Sequence, residues 1–124
     1  MKEFKSIVID DERLAREELK SILSEYPEIT VVGEAQNGEE GIELIKKTDP
    51  DLIFLDVNMP ELFGFDMLKK LENIPHVIFI TAYDEYALKA FEVNALDYIL
   101  KPIDPERLTD AIEKLKEREE SEFE

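Results

Sequence analysis

The sequence predicts an α/β domain with five parallel strands in the doubly wound order 2-1-3-4-5 and a helix after each strand. Three observations lead to this fold class. Short apolar runs alternate with longer amphipathic segments five times along the 124 residues. Two of the runs, DLIFL and VIFI, are apolar on both faces, as central parallel strands are. Four of the runs end in a carboxylate, hydroxyl or ammonium side chain, which places chemistry at one edge of the sheet.

The first half of the chain holds two strand-helix units. KSIVID is the first predicted strand, and the helix after it has leucine and isoleucine at helical spacing and stops before Pro27. ITVVGEA is the second strand, and Asn37 is placed to cap the helix that follows, with Ile42 and Ile45 facing inward. The four predicted elements are Lys5–Asp10, Glu12–Tyr26 (with apolar Leu14, Leu19, Ile22 and Leu23), Ile29–Ala35 and Gly41–Lys47.

The second half holds three more units and an acidic tail. A loop, Asp56–Gly64, follows the third strand, and Leu88 and Phe91 are the expected anchors of the fourth helix. Proline suits the first turn of the last helix, and the tail with its five glutamates is expected to fray from Glu117. The predicted elements are Asp51–Leu55, Phe65–Leu71, Val77–Ile80, Asp84–Val93, Asp97–Leu100 and Pro105–Leu115. We expect one domain over residues 1–118 and an acidic tail or linker over 119–124.

Composition excludes several function classes. The formal charge is −16, from 15 basic and 31 acidic residues, so phosphate backbones and anionic lipids repel the chain. We therefore expect this domain to bind neither nucleic acid nor membrane. No apolar run approaches the roughly 18–20 residues of a membrane span, and the N-terminal stretch lacks a signal-peptide core. Cysteine is absent, so disulfides and thiolate metal sites are excluded, and a cytoplasmic location is expected.

The strand ends bring together groups suited to phosphoryl transfer. In the order 2-1-3-4-5, strands one and three are neighbours, so Asp10, Asp11 and Asp56 should form one carboxylate cluster. Packed carboxylates resist ionisation, and a hard cation such as Mg²⁺ (or Mn²⁺) resolves the conflict. Asp11, Asp56 and the main-chain carbonyl of Asn58 could supply oxygen ligands. Ionised Asp56 would be the nucleophile, and Lys101 and Thr81 at the ends of strands five and four would contact the phosphoryl group.

Each of these residues has a more ordinary interpretation by itself. A single Asp or Thr after a strand is most often a helix cap or a solvated loop residue. A single Lys-Pro is weaker still as a sign of function. The functional hypothesis therefore depends on all four strand ends carrying the required group in the required order.

These residues make the chain similar to the response-regulator receiver domains of two-component systems, over about residues 4–116. The motifs are IVIDDE at 7–12, LIFLDVNMP at 52–60, Gly64, FITA at 79–82 and DYILKP at 97–102. The stretch TAYDEYALKAFEVNALDYILKPI resembles the receivers of LytTR-type (LytR/AlgR family) regulators, which carry a LytTR DNA-binding domain downstream. The resemblance implies a flavodoxin-like fold and a switch controlled by a histidine kinase.

The resemblance also implies a role for each site residue. Asp56 would accept the phosphoryl group, Asp10 and Asp11 would hold Mg²⁺ together with the Asn58 carbonyl, and Lys101 would pair with the phosphoryl group. Thr81 would hydrogen-bond that group, and Tyr98 would be the aromatic switch residue. The Lys101–Pro102 peptide would be cis. Asn58 and Tyr83 occupy the positions that tune phosphoryl lifetime, and a bulky Tyr83 would shield the aspartyl phosphate from water.

The family's output surface is helix four, strand five and helix five, and it often forms a homodimer on activation. The main alternative is a stand-alone receiver that acts by protein binding, because the sequence ends soon after helix five. A haloacid-dehalogenase-type phosphatase would need a second Asp where Asn58 stands. A flavodoxin-like FMN binder would need a Ser/Thr/Gly-rich phosphate loop where the chain has Asp10, Asp11 and Glu12. We therefore expect no enzyme activity beyond the chain's own phosphorylation and dephosphorylation.

Overall fold

The structure, a computed structural model, has one five-stranded parallel sheet, and it describes residues 3–123, with side chains described to residue 120. The strand order is β2-β1-β3-β4-β5, which confirms the predicted fold class. The strands are β1 (Phe4–Ile9), β2 (Ile29–Ala35), β3 (Leu52–Leu55), β4 (His76–Thr81) and β5 (Asp97–Leu100).

Within the described residues, four helices connect the strands and a fifth follows β5, and together they cover both faces of the sheet. They are α1 (Arg13–Leu23), α2 (Gly38–Thr48), α3 (Gly64–Lys69), α4 (Ala87–Glu92) and α5 (Pro105–Phe123). The predicted cap of α2 is confirmed, because the Asn37 side chain accepts a hydrogen bond of 2.9 Å from the Glu40 amide. No helix of residues 3–123 is both long enough and apolar enough to cross a membrane.

The sheet separates two apolar cores. Alternate residues of the strands point to opposite faces, so Phe54 packs with α1 and α5, whereas Leu55 packs with α2, α3 and α4. All four residues of β3 are buried, which confirms the central strand predicted from its unbroken apolar run.

Strand register brings the functional ends together. Ile9 pairs with Leu55, and Leu55 pairs with Phe79, so β1, β3 and β4 end at the same edge of the sheet. Thr81 pairs with Leu100, which puts the residue after β5 beside the end of β4. The groups that follow these strands therefore share one edge.

The two predicted anchors of the fourth helix and one apolar residue of the first predicted helix are not in the core. Leu14 is 70% exposed, Leu88 is 72% exposed and Phe91 is 81% exposed. The predicted fourth helix began at Asp84, but residues 84–86 form a turn and α4 starts only at Ala87. Its inward side is marked by the small Ala90, which leaves the two large apolar residues facing outward.

The predicted ends of the first and the last helix were also wrong. The first helix was predicted to continue to Tyr26, but α1 ends at Leu23, where Ser24 closes the last turn. The last helix was predicted to end at Leu115, and its acidic tail to fray from Glu117. Instead α5 continues to Phe123, and Glu124 lies outside the described residues. The division at residue 118 stays a prediction.

Candidate functional site

Three carboxylates meet where β1 and β3 end. Asp10 and Asp11 follow β1 and Asp56 follows β3, and one oxygen of each lies within 4.8 Å of the others. Asp10 and Asp56 are each 6% exposed, whereas Asp11 is exposed. The structure thus brings together the three acidic residues that the sequence predicted, with a solvent-facing side at Asp11.

Lys101 places one positive charge against this cluster from the end of β5. Its Nζ donates to Asp10 Oδ2 at 2.8 Å and lies 3.6 Å from Asp56 Oδ2 and 3.7 Å from Glu12 Oε1. Burial lowers the pKa of Lys101, but the hydrogen bond to Asp10 and the charges of Asp56 and Asp10 outweigh it and raise the pKa overall. Lys101 is therefore cationic, and it offsets one of the three negative charges.

The charge of Asp56 is stabilised by Lys101, Thr81 and the backbone of Asn58, but these groups do not offset the effect of burial on its pKa. Burial raises its pKa, the Lys101 charge lowers it and the Asp10 charge raises it, so that the pKa stays above its ordinary value. Its Oδ1 is buried and has no hydrogen-bond partner among the residues that the structure describes. A buried carboxylate oxygen without a donor is costly, which means that this oxygen is available to a cation or a reacting group.

Asp11 is perturbed in the same direction. Although Asp11 is exposed, the partial burial of its carboxylate raises its pKa, and the negative charge of Asp10 raises it further. The carboxylates at this edge therefore destabilise one another's ionised forms, as expected for a site completed by a cation. The donor set is all oxygen, which suits Mg²⁺ or Mn²⁺ better than a soft metal.

Backbone contacts hold the acidic loops in place. The Asp56 amide donates to the Ile9 carbonyl at 3.0 Å, and the Gly64 amide donates to the Val57 carbonyl at 2.8 Å. A Cβ on Gly64 would lie only 2.7 Å from the Asp56 carbonyl oxygen, so only glycine fits at this close approach. The Lys101–Pro102 peptide is cis, as predicted.

Arg16 is a support that the sequence did not reveal. Its Nη1 donates to the Asp10 carbonyl at 2.8 Å, and its Nε pairs with Glu34 at 2.7 Å. The same Glu34 also pairs with Lys20. Arg16 thus ties the end of β1 to α1 and β2. The only sequence feature that could have indicated this role is the position of Arg16 in the first turn of the helix that follows the acidic run.

Thr81 and Tyr98 lie on β4 and β5, and Tyr83 follows β4, whereas Asn58 lies in the loop after β3. Thr81 is fully buried, and its Oγ1 accepts a hydrogen bond of 3.4 Å from the Tyr83 amide. The Tyr98 ring is half-buried with its centroid 6.0 Å from that of Phe79, and its hydroxyl donates to the Tyr83 carbonyl. The Asn58 amide donates to the Tyr83 hydroxyl at 3.0 Å. The roles assigned to these residues stay predictions.

A groove opens beside Asp56 and Lys101. Its volume is about 370 Å³, and its apolar lining comes from α1 and from the loop after β5, including Leu14, Pro102 and Ile103. The exposed Leu14 thus lines the approach to the acidic cluster.

His76, for which no catalytic role was predicted, lies at the opposite end of β4 from the acidic cluster. Its Nε2 lies 3.6 Å from Oε2 of Glu119 on α5.

Comparison with known proteins agrees with this geometry. The family model of the response regulator receiver domain matches residues 7–113. The sensory transduction protein LytT of Bacillus anthracis is 47% identical over 123 residues, which are 97% of this chain and 50% of LytT. The transcriptional regulatory protein BtsR of Escherichia coli is 47% identical over 115 residues, which are 91% of this chain and 48% of BtsR.

A solved structure agrees as well. The REC domain of AraT, a response regulator from Geobacillus stearothermophilus, is 39% identical and matches with a TM-score of 0.84 over 98% of each chain. The present chain spans about half the length of the curated relatives that it matches. The relatives' names are consistent with the predicted resemblance to LytTR-type receivers. By fold, acidic cluster and sequence, the chain belongs to the response regulator receiver domain family.

Proposed function

We propose that this receiver domain is a switch that accepts a phosphoryl group from a histidine kinase on Asp56. The observation that carries the proposal is the state of the Asp56 carboxylate. It is buried, one of its oxygens has no donor among the described residues, and the other lies 3.6 Å from the Lys101 ammonium. A carboxylate held in this way is positioned as a nucleophile rather than as a structural ion pair.

The cluster also fits a divalent cation. Asp10, Asp11 and Asp56, with the main-chain carbonyl of Asn58, would hold Mg²⁺ or Mn²⁺. When bound, such an ion would neutralise the carboxylates and the oxygens of the incoming phosphoryl group. The raised pKa values of Asp11 and Asp56 support this assignment, because burial first and the negative charge of Asp10 second disfavour both ionised forms, and a bound cation would relieve both.

The proposed transfer uses an oxygen of ionised Asp56. This oxygen attacks the phosphorus of phosphohistidine, a new O–P bond forms, and the P–N bond breaks with its electron pair returning to the imidazole. Lys101 would then pair with the transferred group instead of Asp10 alone, and the Thr81 hydroxyl would donate to a phosphoryl oxygen. Tyr98 would act as the switch residue, and its contact with Tyr83, two positions after Thr81, supports this proposal.

The groove next to Asp56 suits the docking of the kinase domain that delivers the phosphoryl group. Leu14, Pro102 and Ile103 offer apolar surface directly beside the acceptor. A helix of the partner laid on this surface could bring a phosphohistidine towards Asp56.

The output surface is proposed to be α4, β5 and α5, as a homodimer contact in the phosphorylated state. Leu88 and Phe91 are three residues apart on α4, so they share an exposed face. Leu100 lies on edge strand β5 and is 45% exposed. Together they offer apolar surface for a second copy.

Relatives named LytT and BtsR support a downstream LytTR-type DNA-binding domain and control of transcription. The alternative remains a stand-alone receiver that acts by protein binding.

Intact-protein mass after incubation with acetyl phosphate and Mg²⁺ tests the proposal. The wild-type chain should gain the mass of one phosphoryl group, and chelation of Mg²⁺ should prevent the gain. Asp56→Asn should gain nothing. Asp66→Asn, which makes the same change in charge at an exposed residue of α3, should behave as wild type. A wild-type chain that gains no phosphoryl group, or an equal gain in Asp56→Asn, would overturn the assignment.

A further inference from the structure

Arg16 reaches the acidic cluster through the main chain of Asp10. Its Nη1 donates to the Asp10 carbonyl at 2.8 Å, while the Asp10 carboxylate has other partners. Oδ1 of that carboxylate accepts from the Glu12 amide at 2.9 Å, and Oδ2 accepts from Lys101 Nζ at 2.8 Å. The Arg16 side chain is only 12% exposed, so the guanidinium is held against the end of β1. Arg16 therefore acts on the backbone that carries the acidic side chains.

The peptide between Asp10 and Asp11 lies outside the regular elements, because residues 10–12 belong to neither β1 nor α1. The Asp10 amide donates to the Ala35 carbonyl at 3.1 Å, which ties Asp10 to the end of β2. A peptide unit is planar and rigid, so the further bond from Arg16 to the Asp10 carbonyl fixes the plane that joins Asp10 to Asp11. Arg16 thereby constrains where the Cα atom of Asp11 lies, and with it the reach of the Asp11 carboxylate.

Glu34 on β2 holds the Arg16 guanidinium in this direction. Arg16 Nε donates to Glu34 Oε1 at 2.7 Å, and the other oxygen of Glu34 accepts from Lys20. The hydrogen bonds from Lys20, first, and from Arg16 hold the pKa of Glu34 below its ordinary value, so Glu34 is ionised. Arg16 and Lys20 lie four residues apart on one face of α1 and bind the same carboxylate. Arg16 differs from Lys20 in its second bond, to Asp10.

From these contacts we propose that Arg16 is a positioning residue that strengthens divalent-cation binding by fixing the Asp10–Asp11 peptide, a role that rests on the proposed function because it concerns the proposed metal site. The charge of Arg16 alone has the opposite effect, since a guanidinium near the cluster repels a cation. Its pairing with Glu34 weakens that repulsion. Positioning and charge therefore change the affinity in opposite directions, and the sign of the change distinguishes them.

Titration with Mg²⁺, followed by the NMR signals of backbone amides at the cluster, measures this sign in two matched variants. Arg16→Met removes the guanidinium and keeps an unbranched apolar stem. Lys20→Met removes an equal charge from the same partner, Glu34. Arg16→Met should raise the Kd for Mg²⁺ about tenfold, the lower end of the effect of losing an outer contact to a metal ligand. Lys20→Met should leave the Kd unchanged or lower it slightly, because it removes only charge.

Three results would overturn the positioning role. Mg²⁺ binding in Arg16→Met that is as tight as in wild type, or tighter, would show that only the charge of Arg16 matters. An equal loss of affinity in both variants would assign the effect to Glu34 and not to the bond with Asp10. Urea unfolding in a chelator measures the stability of each variant separately, and a destabilised Arg16→Met with an unchanged Kd would make Arg16 a structural residue only.

A second measurement needs no metal. The NMR order parameter of the Asp11 backbone amide, which reports motion on the ps–ns timescale, should fall in Arg16→Met and stay unchanged in Lys20→Met. An unchanged order parameter in Arg16→Met would contradict the positioning role even when Asp56 is phosphorylated normally. A lower order parameter in a protein whose wild type binds no Mg²⁺ would show that Arg16 positions Asp11, but that the proposed metal site is wrong and the effect on its affinity with it.

Discussion

Replacing Asp11 by Asn should stabilise the metal-free protein, although Asp11 is proposed to hold the metal. Oxygens of Asp10, Asp11 and Asp56 lie within 4.8 Å of one another. Two unit charges at that distance repel by about 3.5 kcal/mol at an effective dielectric of 20, and by about 0.9 kcal/mol in bulk water. Asp11 is exposed, so the lower figure applies to each of its two neighbours, and Lys101 offsets part of it. We expect a gain of about 1 kcal/mol in the free energy of unfolding.

Addition of Mg²⁺ should reverse this order. A ligand at about 100 times its dissociation constant stabilises the folded state that binds it by about 2.7 kcal/mol. The wild-type chain should gain about that amount, whereas Asp11→Asn should gain much less because one ligand oxygen has lost its charge. The perturbation therefore makes the protein more stable without the metal and less stable with it.

Urea unfolding with a chelator and with excess Mg²⁺ measures both effects. Asp66→Asn is the control for the change in net charge, and it should stay within about 0.5 kcal/mol of wild type in both conditions. The reasoning is refuted if Asp11→Asn is less stable than wild type in the chelator, or if Mg²⁺ stabilises the two proteins equally.

Three further perturbations follow from individual contacts. Gly64→Ala should destabilise the fold by about 1–3 kcal/mol and slow phosphorylation, because its Cβ would lie 2.7 Å from the Asp56 carbonyl oxygen. Arg107→Ala should cost about 1–2 kcal/mol at neutral pH, because hydrogen bonds to a charged group are worth about 1.5–3 kcal/mol and Arg107 is 39% exposed. Phe91→Ser should change stability by less than about 0.5 kcal/mol but weaken dimerisation of the phosphorylated chain in sedimentation experiments.

The Arg107 effect should also depend on pH in a defined direction. Burial raises the pKa of Asp97, but hydrogen bonds from Arg107 and the Tyr98 amide outweigh it and hold that pKa below its ordinary value. A lowered carboxyl pKa gives stability that is present above the unfolded-state pKa of about 3.9 and is lost as pH falls through the folded-state value. The difference between wild type and Arg107→Ala in urea unfolding should therefore shrink below about pH 4.

Controls separate these effects from general damage. Arg13→Ala removes an equal charge from an exposed pair with Glu17 and should cost only about 0.3–0.5 kcal/mol, with no comparable pH trend. A Gly64→Ala protein with normal stability and normal phosphorylation would show that the loop relaxes without cost. Unaltered dimerisation in Phe91→Ser would remove Phe91 from the proposed output surface.

The strands and the acidic cluster were predictable because local pattern determines both. Buried parallel strands need unbroken apolar runs, and β3 and β4 have them. Once parallel order is established, the carboxyl ends of β1 and β3 must meet, so Asp10, Asp11 and Asp56 follow without knowledge of any side-chain angle.

The faces of the short helices were not predictable in the same way. Periodicity shows that a helix has an apolar side, but a shift of one or two residues in its start changes which residues face the sheet. In α4, the turn at residues 84–86 delays the start of the helix. Leu88 and Phe91 therefore face solvent, whereas Ala90 is buried. The bond between Asn58 and Tyr83 joins residues 25 apart and depends on side-chain rotamers, which no sequence pattern specifies.

The most direct test of the account locates the phosphoryl group. Borohydride reduces an aspartyl phosphate to homoserine, with release of phosphate, so peptide mass spectrometry after reduction identifies the acceptor residue. The wild-type chain, phosphorylated with acetyl phosphate and Mg²⁺, should yield homoserine at position 56 and retain aspartate at positions 10 and 11. Homoserine at position 10 or 11, or a phosphorylated chain in which Asp56 survives reduction, would contradict the central claim that Asp56 is the phosphoacceptor.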